Sequence, residues 1–318
     1  MRPPEHILVL GGSGFVGRHV CEQLVRAGYR VTVPTRRASR AACVQPLPSL
    51  TVVEADVHDE TSLARLMVGH AAVVNLVAVL HGSEERFERT HVQLPSRIAR
   101  AMQAAGLQRL VHVSALGADL QGPSRYQRSK ARGEAALQAA CLDLTLLRPS
   151  VIFGAEDKFL NLFADLQKIV PFVPLAGSKT QFQPVWVNDV AAAIVRCLKD
   201  RRTIGQTYEA CGPETFTLGE LVRRSGQWSG VNSGKGRPVI SLPRWVGWLQ
   251  ALAMEMQPGE PLMSRDNLAS MKVDNVASGQ LPGLQALGIT PAALSAVAPT
   301  YLGHKGPRSR LDGWRSRR

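Results

Sequence analysis

The sequence predicts an α/β fold, a doubly wound parallel sheet with a smaller, mixed C-terminal lobe. Three observations carry the prediction. A short apolar run ends in glycines at fixed spacing, β-branched runs then alternate with helix-period segments, and beyond Phe153 the rhythm breaks into shorter, proline-interrupted pieces. A chain of 318 residues, 45% hydrophobic, builds one large domain or two unequal ones. The expected division is a core over 1–152, a substrate lobe over 153–303 from which about 185–211 returns to the core, and a basic tail over 304–318.

The organising stretch is HILVLGGSGFVGR, residues 6–18. Its apolar run, entered from a charged N-terminus, reads as a buried parallel strand. Gly11 permits a tight turn, Gly14 lets the backbone approach a pyrophosphate, and Gly17 lets the next helix pack closely on the sheet. With Gly12, Ser13, Phe15 and Val16 they form a loop whose amides face phosphates at a helix N-terminus. This predicts a Rossmann-type dinucleotide site.

Residues 15–27 read as the following helix, closed by Gly28, and 29–33 as a β-branched strand. Where dinucleotide folds often place a carboxylate on the adenosine ribose, this chain has Thr35, Arg36 and Arg37. Guanidinium groups bind a 2′-phosphate that a carboxylate would repel, which favours NADP(H) over NAD(H). The plainer reading of the two arginines is a solvated loop. A third strand is expected over 50–57, with Asp56 and Val57 at the adenine edge, and a helix over 61–69. A fully buried fourth strand over 71–80 brings Leu76, Val77 and Ala78 beside the cofactor. A long helix follows over 85–105, then a fifth strand over 109–114 that ends near Val113, and a sixth over 142–147. In such sheets ligands lie outside the carboxyl ends of the strands.

Further on, residues 158–169 read as a helix, 171–184 as an irregular proline-rich stretch, and 185–187 with 188–199 as strand and helix. A strand over 207–211, a helix over 217–224 and a mobile Gly/Ser-rich loop over 226–236 complete the pattern. In 243–256, Trp245, Trp248, Leu249, Leu252 and Met256 form one broad apolar stripe. The ordinary expectation is that it packs on the core; an interfacial helix or the mouth of an apolar pocket is the other reading.

The net charge is +13. Part of it lies in the tail, where Lys305, Arg308, Arg310, Arg315, Arg317 and Arg318 face Asp312 alone. Such a tail reads as a disordered, solubilising end or as an attraction to an anionic membrane surface. No basic–aromatic interleaving or reader module points to nucleic acid. Five scattered cysteines without a Cys-x-x-Cys pair argue against a disulfide framework or a metal site and for a reducing compartment. No apolar run is long enough for a secretory signal or a membrane span. The expected location is cytoplasmic, with peripheral contact on the inner face of a membrane left open.

Tyr126 and Lys130 form a Tyr-x-x-x-Lys pair on one face of a helix expected over 126–140. An ammonium there stabilises the tyrosinate and lowers a pKa normally about 10, making the phenol a usable acid or base for carbonyl–alcohol chemistry. Ser114, at the end of the fifth strand, is the candidate to polarise the reacting oxygen, and Ser124 reads as a helix cap.

Together these motifs resemble the short-chain dehydrogenase/reductase superfamily, in its extended and atypical branches. The segments from Leu147 to Gly154 and from Pro184 to Ala191 are similar to that group's stretches that close the nicotinamide pocket and open the substrate lobe. The resemblance implies cofactor contacts from Pro149, Ser150 and Val151. A closer resemblance, carried by Ser124-Arg125-Tyr126 with Lys130, by Phe153 to Asn161 and by Leu281-Pro282-Gly283-Leu284 with Leu287-Gly288-Ile289, is to the NADPH-holding accessory subunits of respiratory complex I and their bacterial relatives. It spans about residues 6–302 and implies a nucleotide held by the glycine turn, Arg36, Arg37 and Lys130. One departure stands out: Leu116 falls where extended enzymes place a Ser or Thr. Loss of an oxyanion-side donor costs about 2.7–4 kcal/mol of transition-state stabilisation.

Three functional readings follow. The first is an NADP(H)-dependent oxidoreductase acting on a small apolar carbonyl or alcohol, such as a quinone-related compound, through Tyr126, Lys130 and Ser114. The second is a non-catalytic accessory or assembly protein, stabilised by its nucleotide and in contact with a respiratory complex. The third, a nucleotide-sugar epimerase or dehydratase, expects NAD(H), which Arg36 and Arg37 disfavour.

Overall fold

The computed structural model describes residues 5–256 and 263–303. The strands are β1 (His6–Leu10), β2 (Arg30–Thr35), β3 (Leu50–Glu54), β4 (Ala72–Asn75), β5 (Arg109–Val113), β6 (Asp143–Pro149), β7 (Ile152–Phe153), β8 (Val173–Ala176), β9 (Gln181–Phe182), β10 (Val185–Trp186), β11 (Thr207–Ala210), β12 (Phe216–Thr217) and β13 (Val239–Leu242). The α-helices are α1 (Phe15–Arg26), α2 (Glu60–Met67), α3 (Glu84–Phe87), α4 (Leu94–Ala104), α5 (Arg125–Gln138), α6 (Leu160–Ile169), α7 (Val187–Lys199), α8 (Leu218–Trp228), α9 (Arg244–Glu255), α10 (Arg265–Ser270) and α11 (Leu294–Leu302).

The chain divides into two compact units, one of residues 1–150, 187–211 and 277–290, the other of 151–186, 212–276 and 291–318. The first holds a seven-stranded sheet in the order β3-β2-β1-β4-β5-β6-β11, parallel throughout. This is the predicted doubly wound sheet, and its order reverses between β1 and β4, where ligands bind in such sheets. Helices α2, α4 and α5 cover one face, where Leu8, Leu10, Leu63, Val73, Ile98, Met102, Leu110 and Leu137 form a dry cluster. On the other face α1 lies against α7, and Gln23 Nε2 donates to the Asn188 carbonyl at 2.9 Å. A strand with helices on both faces has no wet side, which is why β1, β4 and β5 read as continuous apolar runs rather than alternating ones.

The second unit is built on three two-stranded pairings, β10 with β7, β12 with β9 and β13 with β8. They surround Phe153, Leu160, Phe182, Phe216, Leu221 and Leu294. Asp157, within the stretch that carried the closer resemblance, is its knot. One carboxylate oxygen accepts the amides of Phe159, Leu160 and Asn161, and the other accepts Gly154 N–H at 3.1 Å and the Tyr301 hydroxyl at 3.0 Å.

Three expectations about individual elements need correction. The fourth strand stops at Asn75 rather than running to Leu80: its pairings with β1 and β5 both end at Asn75, whose side-chain oxygen takes the Val77 amide as the chain turns out of the sheet, and Leu80 is 60% exposed. The long helix over 85–105 is interrupted by a π-helical turn, Glu88–Gln93, between α3 and α4. The 171–184 stretch is irregular only in part, since it contributes β8 and β9. Pro174 sits in an edge strand, where a missing N–H costs no ladder bond. The basic tail lies outside the described residues.

Candidate nucleotide site and its tyrosine–lysine pair

The glycine loop is built as a cradle. Gly11 turns with φ +84°, a conformation L side chains rarely adopt. At Gly17, in the first turn of α1, an added Cβ would fall 2.2 Å from the Gly11 carbonyl oxygen and 2.6 Å from the Gly12 Cα. Only hydrogen fits there, and the contact draws the start of α1 onto the end of β1. Gly14 is the extended N-cap of α1; no side chain caps the helix and its first turn holds no acidic residue. The N-terminal partial positive charge thus meets no acidic side chain of its own first turn, and its amides are the kind of donor set that a diphosphate takes. Ser13 completes the turn, and Phe15 and Val16 open α1. A cavity of about 530 Å³ lies at the other end of the sheet, among Glu5, Ile7, Ala72 and Arg109, where the strands start.

At the end of β2, Thr35 is buried and its hydroxyl donates to the Arg37 carbonyl at 3.2 Å, while Arg36 and Arg37 are exposed. Asp56 spends one oxygen on the His58 amide at 3.0 Å, forming the tight turn that carries Val57. Burial, and after it the positive charges of Arg89, Arg97 and Arg36 against an opposing Asp56, hold the His58 imidazole below its usual value. Arg97 is held by the His58 carbonyl at 2.6 Å and by Glu60 at 3.4 Å, which leaves Arg36 and Arg37 as the exposed arginines at the end of β2.

Leu76, Val77 and Ala78 form the loop that leaves β4. The buried Asn75 accepts the Val77 amide at 3.1 Å and donates its amide to His112 Nδ1 at 3.0 Å. Pro149 ends β6 and Ser150 follows it, both in the first unit, with the Ser150 amide bonded to the Ala210 carbonyl; Val151 belongs to the second.

Ser124 is the cap that the sequence indicated, with a reciprocal capping box to Gln127. This fixes the start of α5 and with it Tyr126 and Lys130. Lys130 is buried, donates to the Val113 carbonyl at 3.1 Å, and is lowered to about 8 by desolvation against the opposing pull of Glu134. Glu134 is itself buried and held by both arms of Arg148, whose Nε donates at 3.0 Å.

The expected lowering of the phenol is not what the structure shows. Burial pushes Tyr126 up to about 12, and Lys130, bonded to the strand's carbonyl, does not offset it. Ser114 is 4% exposed, and its hydroxyl has no hydrogen-bond partner among the described residues. A buried, unpaired hydroxyl at a strand's carboxyl end suits a site completed by another molecule. Leu116 is buried, with its amide on the Pro149 carbonyl.

The sequence reading missed His91. It lies in the π-helical turn, 2% exposed, and its ring meets that of Tyr126 edge-on at 5.5 Å. The Val79 amide donates to its Nε2 at 3.1 Å, so Nδ1 carries the proton and donates to Ser129 Oγ at 2.9 Å; Ser129 in turn donates to the Tyr126 carbonyl at 2.8 Å. Burial, then Lys130, drives its pKa down to about 2, keeping this tautomer neutral. One imidazole thus ties the loop after β4 to the helix of Tyr126. The clue in the sequence was a histidine on the apolar face of a long helix, which is most often an ordinary core residue.

A family model described as NAD(P)H-binding matches residues 11–201, well over half of the chain. The chain belongs to this NAD(P)H-binding family. Over 301 residues it is 35% identical to mouse (Mus musculus) NADH dehydrogenase [ubiquinone] 1 alpha subcomplex subunit 9, mitochondrial, covering 90% of this chain and 76% of that protein. It is 29% identical over 245 residues to the ceramide reductase of Caulobacter vibrioides, covering 76% and 72% respectively. Among solved structures, DesIV, a dTDP-glucose 4,6-dehydratase from Streptomyces venezuelae with NAD and TYD bound, superposes with a TM-score of 0.74 at 22% identity, over 96% of this chain and 98% of that one. That likeness shows the fold alone, a doubly wound parallel sheet of Rossmann type. The glycine cradle and the uncapped start of α1 fit the nucleotide this family binds.

Proposed function

We propose that this NAD(P)H-binding protein holds NADP(H) as a tightly bound, stabilising nucleotide and serves as an accessory subunit of the respiratory-complex type. What supports the cofactor choice is the exposed pair Arg36 and Arg37 directly after β2, with Arg36 among the charges that act on His58. A 2′-phosphate is stabilised beside such a pair, whereas an unphosphorylated ribose gains nothing from it. What supports the accessory role is the 35% identity to the mouse complex I subunit over nine-tenths of the chain, together with a buried Leu116 where extended enzymes place a Ser or Thr. Contact with a respiratory complex then makes peripheral placement on a membrane's inner face the expected location.

A second reading keeps the chemistry. The bound nucleotide would supply a hydride, Tyr126 would exchange the proton, Lys130 would orient the nicotinamide ribose, and the unpaired Ser114 hydroxyl would bond the reacting oxygen of a small apolar carbonyl. Ser114 Oγ and the ceramide reductase relative favour it. The epimerase reading shares only the fold.

Purification separates these. The accessory reading expects a stoichiometric NADP(H) that survives gel filtration and that no apolar carbonyl or quinone oxidises. The oxidoreductase reading expects exchangeable nucleotide and a turnover that Tyr126→Phe abolishes while leaving nucleotide affinity within about twofold, because the phenol contributes to the transition state. Recovery of NAD(H) instead would refute the cofactor choice.

A further inference from the structure

We propose that the face of α9 carrying Trp245, Trp248, Leu249 and Met256 docks on an anionic lipid surface. The core packing expected of this stripe does not occur. Helix α9 turns its small residues inward, with Gly247 and Ala251 buried, and an added Cβ at Gly247 would lie 2.2 Å from the Ala176 Cβ on β8. Since the close approach needs the small side, the large residues have to point away. Trp245 is 68% exposed, Trp248 46%, Leu249 50% and Met256 81%. Ile240, on β13 just before the helix, is exposed as well. Single exposed apolar residues are ordinary on a soluble surface, but a run of them along one helix face marks a binding surface.

Charge selects the occupant. Lys235, Arg237 and Arg244 lead into the stripe, and Glu255 is the one acidic residue of 235–256. Glu255 is already engaged, with its two oxygens taking the Arg265 amide and Nε, each at 2.7 Å. The Arg265 guanidinium also stands 5.6 Å from the Trp248 ring. Of the neighbouring carboxylates, Asp266 is buried and Asp274 accepts the Gln181 amide. Arg237 is half-buried with its Nε on the Gln167 carbonyl, whereas Lys235 and Arg244 are exposed, so the apolar face carries Arg265 against Trp248 and two exposed cations close by in the chain, a setting in which an amphipathic indole is stable between lipid and water. A second copy would bring the same cations face to face, whereas lipid phosphates neutralise them and acyl chains take the indoles. The surface lies in the second unit and does not depend on turnover at the nucleotide site.

The test is flotation of the full chain with vesicles of phosphatidylcholine, alone or with about a third phosphatidylglycerol, and with Trp245→Ser/Trp248→Ser/Leu249→Ser as the variant. These positions are exposed, so an unchanged Tm and unchanged NADPH binding certify the variant's fold. The wild type should float with anionic vesicles and shift its indole emission to the blue. Binding should fall at least about tenfold in the variant or on neutral vesicles, since each removes one of two contributions. Equal flotation of variant and wild type, no flotation of wild type, or a dimer that the triple substitution dissociates would each overturn the proposal.

Discussion

Gly17→Ala isolates the geometry of the proposed nucleotide site. The new Cβ would stand 2.2 Å from Gly11 O and 2.6 Å from Gly12 Cα, both backbone atoms that cannot swing aside. Ordinary contact begins at about 3.4 Å, so the start of α1 and the glycine loop must part by roughly 1 Å, an overpacking strain of about 1–3 kcal/mol. The same displacement carries the amides of α1 away from the diphosphate, and about 1.4 kcal/mol of lost interaction is a tenfold loss of affinity. NADPH affinity, measured by fluorescence titration, should therefore fall at least about tenfold, and the Tm gain conferred by NADPH should shrink accordingly. Leu24→Ala, fully buried on the same helix, is the control: it costs about 2–5 kcal/mol of stability yet leaves the cradle intact. If Gly17→Ala binds NADPH like wild type, or Leu24→Ala loses affinity equally, the diphosphate does not lie on this loop.

Replacing Arg36 and Arg37 together by serine should weaken NADPH at least about tenfold and change NADH by less than about twofold, since only the former carries a phosphate for them; equal losses in paired titrations would refute the 2′-phosphate assignment. Glu134→Gln strands the half-buried Arg148 and should cost about 2–4 kcal/mol in urea unfolding. His6, His19, His58, His70, His91 and His112 are all held below 6.5, by burial first. Below that value the unfolded chain binds protons that the folded one refuses, so stability falls as pH drops from about 7 toward 5. The urea midpoint should show this, with a shallower slope in His91→Asn; a flat midpoint would contradict the neutral buried imidazoles.

What the amino-acid order determined by itself was whatever depends on near neighbours. The apolar runs of β1, β4 and β5, the glycine spacing, the Ser124 cap and the four-residue step from Tyr126 to Lys130 are all local, and they sufficed for the parallel sheet and the tight glycine loop between β1 and α1. Only tertiary structure decided the rest, because each remaining feature depends on a partner distant in the chain. Pro171 to Pro184 became strands because β13 and β12 lay alongside. His91 acquired its role from Val79 and Ser129, the Tyr126 phenol rose because burial outweighed a lysine bonded elsewhere, and the tryptophan stripe faced outward because Gly247 sits against Ala176. Periodicity tells which residues of a helix share a side. Which side is pressed against the protein is settled by how closely another backbone can approach.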